Sequence, residues 1–376
     1  MKPQNILLVH LYSNGDCLYA TAIARQIKTD FPGCKLTWAI AGFCKSIINN
    51  NPYVDKVIEV SEVKKNDVPA FRKYKKKILQ EKNQGKWDEV FITHNMDTNI
   101  QYYDGTIRGM ILRAYPHPVI NIQPELILND EEKNNVKRFA EKYALDRFKN
   151  LILWEYAPQS GQSNLNFDFV INLSKKITQL PETCVILTSA NKFNSTATII
   201  DASELSIREN AALTHYCHLL IGCSSGITWL STSNAAKQLP MIQLLNPDAP
   251  FRNIPSEDFK RFGLDTDELI ELFDFNEQNI FDCVKSSLAE GINITQQKFN
   301  QTLPQNFSTT RKITYNLLCY GDFKGISKHV AIMKSVYQNH PAINKQALLG
   351  LTEFPFKLIR NIFRKKIAPL FIRLKN

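Results

Sequence analysis

The sequence predicts an α/β protein built from two doubly wound halves in tandem, followed by a helical tail. Three observations carry that expectation. Short apolar runs alternate with helical patterns from the first residues on, as in βαβ units with parallel strands. The alternation restarts after a polar helical stretch at about 130–145. The 376 residues suffice for two domains of about 150 residues and a tail. The expected boundaries are 1–148, 149–310 and 311–376.

In the first half, Ile6 to Leu11 reads as a buried strand, and Leu18 to Phe31 as a helix stopped by Pro32-Gly33. Lys35 to Ala41 and Val57 to Val60 follow as strands. A basic helical stretch at about 66–84 leads to strands at Glu89 to Thr93 and Val119 to Ile122. In the second half, Leu151 to Tyr156, Cys184 to Thr188, Leu219 to Gly222 and Met241 to Leu245 read as strands. Phe167 to Gln179, Ser206 to His215 and Gly226 to Lys237 read as the helices between them. From 247 to 310 the pattern gives loops and helices. Ligands in such sheets bind at the carboxyl ends of the strands, so two facing halves place a substrate cleft between them.

The formal net charge of +10 is unevenly placed. Residues 1–310 carry 33 Lys and Arg against 34 Asp and Glu, and residues 311–376 carry 13 against 2. A neutral body with a basic end points to a catalytic core docked on an anionic surface rather than to a nucleic-acid binder. The eight cysteines form no CxxC pair and follow no common zinc or disulfide spacing. With no signal-peptide core and no apolar run long enough to span a bilayer, a cytoplasmic location is expected. The five Asn-x-Ser/Thr triplets, from Asn172 to Asn306, then have no glycosylation to meet.

Two loops carry the candidate chemistry. Ser13-Asn14-Gly15-Asp16 follows the first strand and opens a helix. Asp16 there can act as a general base toward a bound hydroxyl, or can simply cap the helix with Ser13. Cys223-Ser224-Ser225-Gly226 follows a later strand and opens another helix, where free N–H groups favour a phosphate; ordinary capping by Ser224 or Ser225 is the alternative. Thr188 and Ser189 end a neighbouring strand and can line the same cleft, and His94 closes the fourth strand as a cleft contact or as an ordinary surface histidine. Neither the dinucleotide fingerprint G-x-G-x-x-G nor the P-loop motif is present. Asp265-Thr-Asp267 reads as the cap of a helix carrying Leu269, Ile270, Leu272 and Phe273, and His215-Tyr-Cys217-His218 lacks the partners of a metal site.

Taken together, Ile6-Leu-Leu-Val-His-Leu-Tyr-Ser-Asn-Gly-Asp16, with Ala20-Thr-Ala-Ile-Ala24 and Phe31-Pro-Gly33, resembles the opening of the heptosyltransferases, glycosyltransferase family nine. Leu219-Leu-Ile-Gly-Cys-Ser-Ser-Gly-Ile-Thr-Trp-Leu230, with Leu239-Pro240 and Asn246-Pro247, resembles their donor-domain signature. The resemblance covers about residues 5–250. It implies a GT-B architecture of two Rossmann-like domains, the first for the acceptor and the second for a nucleotide-sugar donor. It also implies transfer with inversion, no metal at the reaction centre and no other cofactor, with Asp16 as base and Ser224, Ser225 and Gly226 facing the departing diphosphate. Where the family usually has Asp and His in this signature, the chain has Ser224 and Trp229, and the family's basic residue before the next helix falls near Ser163 and Asn164.

Two basic segments complete the reading. Residues 64–86 hold nine Lys and Arg against two acids and suit either phosphate groups of an acceptor or plain solvent. Near the C-terminus, Ile359, Ile362, Phe363, Ile367, Leu370, Phe371 and Leu374 recur at helical spacing among Lys357, Arg360, Arg364, Lys365, Arg373 and Lys375. Such a helix fits an anionic membrane face, or packs on the first domain or on a second subunit. The expected activity is transfer of a sugar from a nucleotide sugar to a cell-surface glycan or lipopolysaccharide-type acceptor at the inner membrane face. A nucleotide-sugar epimerase and a non-catalytic nucleotide-sugar-binding or assembly protein on the same fold are the alternatives.

Overall fold

A computed structural model describes residues 4–156, 161–188, 191–249 and 251–362, with residues 356–362 described by backbone alone. Its contacts divide the chain into two compact units. One comprises the residues up to 94 together with 105–303, and the other residues 95–104 together with those from 304 on.

The first unit holds two all-parallel sheets. Strands β1 (Asn5–Val9), β2 (Lys35–Ile40) and β3 (Lys56–Glu59) are linked by α1 (Asn14–Asp30) and a 3-10 turn at Gly42–Ile48. Helix α2 (Val68–Asn83) crosses to β4 (Glu89–Ile92), so the strand order is β3-β2-β1-β4. Helices α3 (Ile107–Arg113) and α4 (Asp130–Lys142) lead to the second sheet. That sheet begins with β5 (Asn150–Glu155), α5 (Phe167–Ile177), β6 (Thr183–Thr188) and β7 (Ile199–Asp201). It continues through α6 (Glu209–Leu213), β8 (Leu219–Gly222), α7 (Gly226–Leu230), β9 (Met241–Leu244), α8 (Pro255–Arg261) and β10 (Leu269–Leu272). The order is β10-β9-β8-β5-β6-β7. Helices α9 (Glu277–Glu290) and α10 (Ile292–Phe299) close the unit.

These are the two doubly wound halves that the alternation predicts, with the inner strands buried on both faces and the edge strands β3 and β4 partly exposed. One apolar cluster runs from β1, β2 and α1 through Val136 and Phe139 to Leu151, Leu153 and Ile186, and a second covers the opposite face of the second sheet. Each sheet reverses its winding once, between β1 and β4 and between β5 and β8. Such switch points open the crevices in which doubly wound sheets hold ligands.

Three expectations are corrected. Val119 to Ile122 is not a strand, because α1 side chains take its backbone groups. The Ile120 N–H donates to Gln26 Oε1 at 3.1 Å, the Glu125 N–H to Thr21 Oγ1 at 2.8 Å, and Arg25 donates to the carbonyls of Asn121 and Gln123. The helix from Gly226 ends at Leu230 rather than Lys237, where the hydroxyls of Ser231 and Thr232 donate back to the carbonyls of Thr228 and Trp229. Leu269 to Leu272 forms strand β10 beside β9 instead of a helix, and Asp265 receives the Asp267 N–H at 2.8 Å as a turn.

The second unit consists of α11 (Ser308–Cys319), α12 (Phe323–Val336), α13 (Pro341–Ile362) and a 3-10 turn at Asp97–Tyr102. Gly350 lets α13 lie close on α11, since a Cβ there would come 2.6 Å from the Arg311 carbonyl oxygen. The Tyr337 hydroxyl donates to the Asp104 carbonyl at 2.9 Å, and Lys328 lies over the Tyr102 ring at 4.4 Å. The expected basic amphipathic helix from Lys357 to Lys375 falls outside the described residues beyond Ile362. No helix among the described residues is long and apolar enough to cross a membrane.

Candidate functional site

Both candidate loops lie at the switch points of their sheets. The first follows β1, where Ser13 precedes α1 and Asp16 occupies its first turn. The Ser13 N–H donates to Asp16 Oδ2 at 3.3 Å, so the carboxylate does cap the helix, while residues 12–16 remain half-buried. Asn14 Oδ1 is buried at the same turn with no hydrogen-bond partner among the described residues.

The second loop follows β8. Gly222 is required there, because a Cβ would fall 2.4 Å from Thr228 Oγ1 and 2.5 Å from Gln243 Nε2. Ser224 adopts the left-handed region (φ +51°), which side chains other than glycine and asparagine rarely enter. Two bonds hold it there: its N–H donates to Gln243 Oε1 at 2.8 Å and its hydroxyl donates to the Asn253 carbonyl. Ser224 is 2 % exposed. It is therefore a structural pin of the loop, not the open donor that the sequence led us to expect.

Glu155, at the carboxyl end of β5, occupies the start of α7, where the sequence led us to expect a phosphate. Its carboxylate accepts from the Ile227 N–H at 2.9 Å, the Thr228 N–H at 3.1 Å and the Thr228 hydroxyl at 3.0 Å, and the Ser225 hydroxyl also donates to it. A carboxylate aimed at free N–H groups and the positive end of a helix is the arrangement a phosphate would make. Burial, and then the nearness of Glu155, push the Cys223 thiol well above its ordinary range. Thr188 pairs with Glu155 in the β5–β6 register and is buried. Ser189 lies outside the described residues.

The fold brings the two loops together. A Cβ built on Gly15 would lie 3.8 Å from Gly226 Cα and 3.5 Å from Trp229 Cδ1. Behind this contact is a buried cluster that the sequence did not announce. Arg108 of α3 pairs with Asp258 of α8 at 3.0 Å, both essentially without exposure. Its guanidinium lies 4.8 Å from the Tyr19 ring and 5.7 Å from the Trp229 ring. Burial and the Asp258 charge raise the Tyr19 hydroxyl pKa well above normal. From the opposite half, Arg208 reaches Glu132 at 2.5 Å and donates to the carbonyls of Ser46, Asn49 and Ile127.

His94 is corrected. It is 1 % exposed, beyond β4 rather than on it, and packs edge-on against Phe71 at 5.0 Å and His10 at 5.5 Å. Burial pulls its pKa down to about 3, and burial together with the neighbouring His94 pulls His10 well below its ordinary value. His218 is structural, accepting the Leu151 N–H at 3.1 Å, and His215 lies 3.2 Å from the Ala235 carbonyl. Among the described residues no group of three or more His, Cys, Asp or Glu side chains is arranged to hold a metal ion.

No protein-family profile matches the chain, and no curated protein sequence matches it. Solved structures do. A glycosyl transferase family 9 protein from Veillonella parvula aligns with a TM-score of 0.52 at 15 % identity, over 78 % of this chain and 94 % of its own. The E. coli ADP-heptose LPS heptosyltransferase II aligns with a TM-score of 0.52 at 13 % identity, over 76 % of this chain and 99 % of its own. With its two switch-point loops meeting at Gly15 and Gly226, the chain thus has the two-sheet GT-B fold of these glycosyltransferases.

Proposed function

We propose that the protein is an inverting, metal-independent glycosyltransferase that moves a sugar from a nucleotide-sugar donor to a cell-surface glycan or lipopolysaccharide-type acceptor. The observation that carries this reading is the meeting of the Ser13–Asp16 and Cys223–Gly226 loops on a GT-B scaffold. A sugar hydroxyl is a poor nucleophile, and removal of its proton by Asp16 as it attacks the anomeric carbon lowers the barrier. Ser13, Asn14 and Gly15 line the acceptor side, with the buried Asn14 Oδ1 as an unused acceptor for a sugar hydroxyl. Thr188, Ser225 and Gly226 are the donor-side residues of this reading, and a diphosphate there competes with Glu155 for the same donors.

One specific observation favours a second reading, a non-catalytic nucleotide-sugar-binding or assembly protein: Glu155 and Trp229 fill the second loop from within. Two measurements separate the readings. A thermal-shift screen with ADP, GDP, UDP, CMP, dTDP and their sugars, with and without EDTA, should show one selective, EDTA-insensitive shift. With that donor, Asp16→Asn should lose roughly 100-fold or more of transfer while its melting temperature holds, because the asparagine oxygen still accepts the Ser13 N–H. A donor that binds but is transferred by neither chain supports the second reading. Equal loss of folding and transfer returns Asp16 to helix capping.

A further inference from the structure

An exposed aromatic side chain stands at the strand ends of the first sheet. The turn at Gly42–Ile48 follows β2 at the same carboxyl edge from which the Ser13–Asp16 loop leaves β1. Two contacts hold the turn to the loop. The Ala41 N–H donates to the Leu11 carbonyl at 3.2 Å. The buried Cys17 thiol donates to the same carbonyl at 3.8 Å and is in hydrogen-bonding contact with the buried Cys44 thiol. The chain neighbours of these two thiols are Asp16 and Phe43. The turn is also held from the second half, where Arg208 donates to the Ser46 and Ile47 carbonyls. The adjoining Ile207 lies 3.1 Å from a Cβ built on Gly226. Phe43 thus sits on a turn tied directly to the first loop and through Ile207 and Arg208 to the second, yet it is 65 % exposed. A lone exposed phenylalanine needs no explanation, but one placed on a braced turn at the ligand-binding edge of a parallel sheet calls for one. The charges carried by the turn and packed on it cancel. Lys45 lies 3.6 Å from Glu59 at the end of β3, and the same carboxylate covers Gly42, where a Cβ would collide with it.

We infer that the Phe43 ring is the platform on which the acceptor lies, and that the unit it takes is a neutral pyranose stacked through its C–H face. This rests on the glycosyltransferase reading and names the chemistry of its acceptor side. The face of an aromatic ring is electron-rich and attracts the weakly positive C–H hydrogens of a sugar, and the contact removes apolar area from water. The hydroxyls at the rim of a stacked sugar need polar partners, which the first loop supplies. Asn14 Oδ1 is buried there without a hydrogen-bond partner among the described residues, ready to accept from a hydroxyl, and Asp16 is in the same turn of α1. A phosphate or carboxylate on the stacked ring meets no surplus cation on the turn, because Lys45 is matched by Glu59. Phe43 binds and orients the acceptor and moves no proton.

The test is saturation-transfer NMR of the full chain with methyl β-galactopyranoside, methyl β-glucopyranoside and the methyl glycoside of galacturonic acid, without any donor. The native chain should saturate the ring C–H protons of the neutral sugars. Phe43→Ala should lower that signal at least about fivefold at an unchanged melting temperature, since the side chain is exposed. Phe43→Trp should keep it, and Phe43→Leu should lose most of it, which separates stacking from apolar bulk. Ile120→Ala removes a side chain that is 80 % exposed near Gln26, toward the other end of α1, and should change nothing. Equal signals from the native chain and Phe43→Ala overturn the inference, as does a native chain that saturates none of the sugars. Stronger saturation of the galacturonide than of the galactoside overturns the neutral-sugar assignment. In a transfer assay Phe43→Ala should raise the acceptor KM with kcat little changed. A chain that binds a donor and saturates the sugars through Phe43 but transfers nothing defeats the glycosyltransferase reading and leaves the platform standing. Transfer that Phe43→Ala does not alter does the reverse.

Discussion

Glu155 satisfies two backbone N–H groups and two hydroxyls at the start of α7. Glu155→Ala should therefore cost about 3 kcal/mol or more in urea unfolding, because buried donors are left without acceptors. Glu155→Gln should cost less, since the hydroxyls of Ser225 and Thr228 can rotate to accept while the N–H of Thr228 cannot. A change under about 0.5 kcal/mol in both would mean that water replaces the carboxylate there. His10 and His94 give a second, pH-dependent prediction. Both are held neutral by burial, with folded pKa values below those of the unfolded chain. Below about pH 6.5 the unfolded state binds more protons, so stability falls with pH from there down toward the folded value of about 3 for His94. His94→Phe should remove roughly 1–2 kcal/mol of the loss between neutral pH and about pH 5. An unchanged pH profile in that variant would show that the histidine is already solvated.

At the scale of elements, the two halves of the first unit are tied by arginines that cross in opposite directions. Arg108 runs from α3 to Asp258 of α8, and Arg208, just before α6, runs to Glu132 and the 3-10 turn at Gly42–Ile48. Arg108→Met should destabilise by about 3–5 kcal/mol, because it leaves Asp258 buried without its guanidinium. Adding Asp258→Leu should return most of that loss, as apolar groups of similar volume replace the pair. If the double variant is no better than the single one, the aromatic contacts of Arg108 with Tyr19 and Trp229 stabilise the fold more than its ion pair does. The element-level errors of the sequence reading have the same origin as these ties. The apolar pattern of Val119 to Ile122 is that of a strand, but its fate was decided by Gln26, Thr21 and Arg25 on a helix about 100 residues earlier. Four-residue β10 was hidden because short apolar runs do not distinguish strand from helix until a neighbour such as β9 is present.

At the scale of the whole first unit, the largest apolar cluster does not stop between the two sheets. It runs from Ile6 and Trp38 through Phe139 to Leu153 and Ile186. The unit should therefore unfold as one cooperative transition despite its two sheets. Two variants test this, one keeping only Trp38 of the four tryptophans and one keeping only Trp154, with tryptophan fluorescence and far-UV circular dichroism compared within each variant. Coincident denaturation midpoints are expected. Separate midpoints would mean that each sheet holds its own helices and the shared cluster is a weak contact.

The sequence alone determined the α/β class, the two windings and the two loops at strand ends, because parallel strands buried on both faces must read as apolar runs and helix starts need small polar residues. Asp16 and Gly226 were legible for that reason. Tertiary structure decided everything that depends on which residues meet. That includes the contact of Gly15 with Gly226, the burial of His94, and the crossing arginines, none of which has a local signal. Glu155 is the clearest case. An acid in the apolar run from Leu151 to Tyr156 shows that some partner must exist, but only the fold brings Ser225, Ile227 and Thr228 to it across about 70 residues of chain. The physical reason is that backbone preference and apolar periodicity act over a few residues, whereas the partner of a buried charge is chosen by packing over the whole core.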